Sequence, residues 1–156
     1  MRLVKVVLAM IIMLVISIQF IPVIRNQDSR LRNTAINKIY PVPLRVQAIL
    51  KNSCYDCHSD YTRYPWYANL QPVSGWMASH INKGKKELNF SDFGSYSVRR
   101  QQSKLKAVIN SIQDETMPIA SYTLIHREAK LAENDKKLVI NWIEKTKDSL
   151  SLIKEK

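Results

Sequence analysis

The chain has 156 residues, of which 46% are hydrophobic and 24% charged. That balance suits one globular domain of ordinary size and excludes a disordered or fibrous chain. The formal charge is +11, but the cations are spread along the chain without a DNA- or RNA-binding motif, so no nucleic-acid partner is expected.

In chain order, the first 24 residues stand apart. Arg2 and Lys5 precede a run from Val6 to Ile24 that is apolar except near its far end. About 19 residues approach the ~20 that a helix needs to cross a bilayer core. No small-x-small cleavage site comes after it. The expectation is an N-terminal transmembrane anchor over residues 1–25, with a cleaved signal peptide as the alternative. Either places the remainder on the exported, periplasmic side of the cytoplasmic membrane, and the cations at the start favour an N-terminus left in the cytoplasm.

Residues 26–40 read as a polar tether. Pro41 and Pro43 then lead into a helix predicted over Leu44–Ser53, with Val46, Ile49, Leu50 and Cys54 at helical spacing. The aromatic stretch after His58 holds Tyr61, Tyr64, Pro65, Trp66, Tyr67 and Pro72, and reads as a loop. A short helix is predicted from Val73, carrying Trp76, Met77, His80 and Ile81. Another covers Val98–Gln113, and Pro118 breaks the segment beyond it. The last predicted helix runs from Glu133 to Thr146, leaving 148–156 as a polar tail. With only 3 glycines and no strand signals, the fold class is all-α. The long loops between helices suggest that something fills the middle of the 41–147 domain.

The chain's 2 cysteines, Cys54 and Cys57, are followed directly by His58. C-x-x-C-H is the attachment sequence of a c-type haem. Two thiols at this spacing reach the two vinyl groups of one porphyrin, and the adjacent imidazole lies under the iron as proximal ligand. Random placement of these residues gives this spacing on the order of a few times in ten thousand. Three other readings compete. A thioredoxin-like redox pair wants a βαβ context. A structural disulfide has no use for His58. A zinc corner needs a fourth ligand. The expected cofactor is one covalently attached haem c per chain.

Met117 lies directly before Pro118 and is the expected distal axial ligand, its soft thioether facing His58 across the haem iron. His80 is the second choice for that position, and His126 the third. Tyr64, Trp66, Trp76 and His80 are expected to line the haem pocket.

The stretches "NSCYDCHSDYTRYPWYANLQPVSGWM", "GKKELNFSDFGSYS", "MPIASYTLIHREAKL" and "LVINWIE" together resemble the small bacterial haem-binding domain family that carries C-x-x-C-H, over roughly residues 35–147. The resemblance implies haem binding by Cys54, Cys57 and His58, and it aligns the family's Met-Pro with Met117 and Pro118. It also implies a cytochrome c-like fold in which the helix ending at Ser53 packs against the one beginning near Glu133.

The resulting expectation is a membrane-tethered, one-electron carrier with no catalytic residues. Its basic surface would steer an acidic, membrane-associated redox partner. A peroxidase-like enzyme or a haem-based gas or redox sensor is the alternative. Either requires a displaceable distal ligand.

Overall fold

The structure, a computed structural model, describes residues 1–154 of the chain. It is mostly helical: α1 (Arg2–Ile18), the single turn α2 (Ile36–Ile39), α3 (Leu44–Ser53), the single turn α4 (Tyr55–His58), α5 (Val73–Glu87), α6 (Val98–Gln113), α7 (Ala120–Ile125) and α8 (Glu133–Lys154). Short 3-10 turns cover Trp66–Asn69, Phe90–Ser95 and Arg127–Ala129.

Helices α3, α6 and α8 form the core. Val46 and Leu50 of α3 meet Leu105, Ile109 and Ile112 of α6 and Val139, Trp142 and Ile143 of α8, all buried. Burial of each large aliphatic side chain contributes roughly 1.5–3 kcal/mol. The i, i+3, i+4 spacing of these residues makes each helix amphipathic. Helices α3 and α8 pack against each other, as the resemblance implies. Trp142 Nε1 also donates to the Pro41 carbonyl at 3.1 Å, fixing the entry to α3.

Helix α6 starts where Ser97 Oγ accepts the Arg100 N–H at 3.4 Å. It ends in a Schellman turn, with Glu115 N bonded to Ile112 O and Thr116 N to Ser111 O. Glu115 takes the left-handed conformation at φ 54°. This turn reverses the chain immediately before Met117.

The N-terminal expectation needs correction. The apolar run does not form one continuous helix over 6–24: α1 is 17 residues long and stops at Ile18. Pro22 lacks an N–H and disfavours helix in the residue before it. Gln19 folds its amide back onto the Val15 carbonyl. Among the described residues no helix is long and apolar enough to cross a membrane.

The segment 26–40 is not a free tether. Ile36 is fully buried in the core, and Asn26 Nδ2 donates to Ser59 O and Thr62 Oγ1, each at 2.9 Å. At the other end, α8 continues through 148–154, and Leu150 is buried. An apolar residue one turn beyond Thr146 extends the helical stripe. Of the predicted polar tail, 155–156 lie outside the described residues.

Candidate functional site

At Cys54 (φ −127°, ψ −43°) the chain kinks out of α3 and enters α4. The His58 N–H still bonds to the Cys54 carbonyl at 3.0 Å, so Cys54, Tyr55, Asp56, Cys57 and His58 form one closed turn. Asp56 fastens this turn from beneath. Its buried carboxylate accepts from the Arg63 N–H at 3.0 Å, from the Arg63 guanidinium at 3.1 Å and from Tyr122 Oη at 2.7 Å. Burial, and then the bond to Asp56, raise the Tyr122 pKa, so the phenol stays protonated and donating.

Helix α5 holds His58. The imidazole Nδ1 lies 2.9 Å from the Gly84 carbonyl and 3.1 Å from the Leu88 carbonyl. Both are acceptors, so Nδ1 carries the proton and the lone pair sits on Nε2. Burial lowers the His58 pKa, with the two carbonyl bonds opposing part of that effect, and the ring is held neutral. The arrangement requires α5 to approach the motif closely. A Cβ on Gly84 would stand 2.8 Å from the Cys57 carbonyl oxygen, nearer than such atoms come. A glycine inside a helix costs about 1 kcal/mol against alanine, and here it admits the neighbouring backbone.

Both cysteines are free thiols. Burial, and then mutual repulsion, push Cys54 up to about 12. Burial, with the Asp56 charge second, pushes Cys57 up to about 11. Such thiols are poor thiolates. A thioredoxin-like pair needs the opposite, an attacking thiol of depressed pKa. Nor do Cys54, Cys57 and His58 recruit a fourth ligand: among the described residues no group of three His, Cys, Asp or Glu side chains is placed to hold a metal ion.

A groove runs along the motif in adjoining pockets. One, of about 290 Å³, is walled by Cys54, His58, Leu88, Val108, Ile112 and Met117. The next, of about 200 Å³, holds Cys54, Cys57, His58, His80, Met117 and Pro118. A third, of about 310 Å³, adds Tyr67, Trp76, Tyr122, Ile125 and His126. The first two place His58 and Met117 on one cleft, although the two residues lie on opposite sides of α5 and α6 in the sequence.

Of the residues expected to line this cleft, His80 and Trp76 do, their rings 4.3 Å apart. Tyr64 and Trp66 do not. Tyr64 turns toward the N-terminal segment, where its Oη accepts the Asn26 N–H at 2.9 Å, and Trp66 is 76% exposed. Pro65 and Tyr67 take their places in the wall. The 3-10 turn at Trp66–Asn69 sets which aromatics face inward, and loop composition does not reveal that choice. His126 lines the third pocket, but its Nε2 is already engaged: it meets Tyr67 Oη at 2.7 Å, and the ring stacks on Tyr122.

Sequence reasoning missed Gly84, Asp56 and Tyr122. Gly84 carried a signal, being a glycine within a helical pattern. Tyr122 carried none, because its partner is 66 residues away.

The donor set fits a haem: a neutral imidazole with a free Nε2, two protonated thiols on the same turn, and an apolar cleft beside them. Residues 13–145 match the haem-binding domain family. The chain belongs to that family. No curated protein and no solved structure matches it. For this haem-binding protein, the cleft along Cys54–His58 is the candidate cofactor site.

Proposed function

We propose that this protein is a one-electron carrier holding a single haem c. In this reading Cys54 and Cys57 are the thioether anchors, His58 Nε2 is the proximal ligand and Met117 the distal ligand, within a cytochrome c-like fold. The observation that carries it is the double carbonyl clamp on His58 Nδ1. An acceptor behind the ring of a metal-ligating histidine fixes its tautomer and the direction in which it faces the metal.

Bound haem supplies a one-electron iron couple, and the chain supplies everything else. Gly84 and Leu88 orient the imidazole. Leu88, Val108 and Ile112 exclude water. Asp56 ties the motif to Tyr122 on α7, just beyond Met117, so the two walls of the cleft are linked. Electron transfer makes and breaks no bond, so a carrier needs no acid/base pair beside the haem.

The protein is also proposed to work on the exported side of a membrane, with residues 2–24 associated with lipid and an acidic redox partner met by the basic surface. The test is a pyridine haemochrome spectrum and an intact mass of protein matured in a haem-competent exporting cell. A c-type spectrum with a mass raised by one haem is expected. A colourless chain of bare mass overturns the reading. Rapid carbon monoxide binding by the reduced protein would favour a sensor or peroxidase-like role.

A further inference from the structure

Helix α1 buries none of its residues, and it is apolar on every side between Lys5 and Ser17. A helix of that kind is stable inside a protein core or in lipid. It rises about 25 Å, less than the ~30 Å apolar thickness of a bilayer. A lipid-inserted α1 therefore draws whatever is attached to its far end down to the membrane surface.

What is attached is the loop after the C-x-x-C-H motif. Gln71 N donates to Gln19 Oε1 at 3.0 Å, and Gln71 Nε2 donates to the Ile21 carbonyl at 3.1 Å. Arg25 hydrogen-bonds Asn69 and lies 5.1 Å over the Tyr64 ring. Around this junction, exposed apolar side chains come from both segments: Phe20 (82%), Ile21 and Ile24 from one, Trp66 (76%) and Leu70 (48%) from the other. An exposed tryptophan, neighbouring apolar residues and an arginine form the composition that anchors at a lipid headgroup boundary.

We infer that the 66–70 turn is a second lipid contact that seats the haem-binding domain on the bilayer surface. The inference rests on the lipid association proposed for residues 2–24. The occupant is a phospholipid interface, argued from continuity with α1 and from the shortness of that helix.

The test uses the full-length holoprotein in phospholipid vesicles, with a nitroxide placed in turn at Trp66→Cys, Leu70→Cys, Met10→Cys and Lys137→Cys. Collision with oxygen, which concentrates in lipid, is compared with collision with a water-soluble nickel chelate. The expected result is a ratio shifted toward oxygen at positions 66, 70 and 10, and toward nickel at 137, on exposed α8 surface. If 66 and 70 match 137 while 10 reports lipid, the loop contact is overturned and the anchor stands. If position 10 also reports water, the anchor reading fails and the inference fails with it.

Discussion

The two walls of the cleft are built differently. His58 is held by two backbone carbonyls of α5 and the residue after it, at a glycine that permits close approach. Met117 sits beyond a Schellman turn, 43% exposed, with its N–H bonded to Ser111 O at 3.2 Å. The proximal side fixes one atom of one ring. The Met117 side fixes a backbone reversal, and its side chain stands half exposed on the cleft. In the proposed ligation, the half-buried His58 ring is the permanently held ligand, doubly bonded at Nδ1, while Met117 needs only to be brought near.

The largest expected effect comes from removing the proposed thioether anchors. Cys54→Ala with Cys57→Ala should abolish covalent haem, read by a haemochrome spectrum after acid-acetone extraction. Retained covalent haem would break the comparison, since the proximal turn would then not be the attachment point.

Gly84→Ala should come next. The added Cβ meets a backbone oxygen at 2.8 Å, and overpacking of this kind costs roughly 1–3 kcal/mol. Urea denaturation measures the loss, and an accompanying change in the haem spectrum would show that the His58 clamp moved. A neutral outcome would mean that α5 is not tightly set against the motif.

Asp60 tests how firmly the proximal base joins the N-terminal segment. It pairs with Lys85 at 2.9 Å and accepts from Asn89 at 2.8 Å; Arg32 Nε lies 2.7 Å from Oδ2, though not aligned as a hydrogen bond. Burial opposes its ionisation, but the Lys85 and Asn89 bonds and the nearby cations hold the carboxyl below its usual 3.8. As pH falls through 3.8 the unfolded chain therefore takes up its proton first. The stabilisation is present above that pH and is lost as pH falls through the folded value. Asp60→Asn should flatten that acid limb in thermal melts at a series of pH values. An unchanged limb would assign it to other carboxylates.

Met117→Ala should have the smallest effect on stability, below about 1 kcal/mol for a half-exposed side chain. Haem should stay attached while the reduced protein gains carbon monoxide binding. An unchanged spectrum would move the distal assignment to His80, which shares the cleft.

Much of the fold was legible. Helices Leu44–Ser53 and Val98–Gln113 match their predicted bounds, because apolar spacing runs through both and Pro43 and Ser97 mark their starts. The C-x-x-C-H motif pointed to haem, and the family match supports haem binding. At the N-terminus only the length of the helix misled: α1 ends at Ile18, since hydropathy outweighed Pro22 in the reading of that run. Tyr64 and Trp66 misled because composition ranks aromatics without saying which way a loop turns them.

The sequence by itself determined the haem-binding class and the helical class, since each depends on residue choice and local spacing along the chain. Only the tertiary structure decided the His58 tautomer, the need for Gly84, the Asp56–Tyr122 link and the docking of 19–25 onto 69–71. Those are contacts between residues far apart in sequence, and packing alone brings them within hydrogen-bond reach.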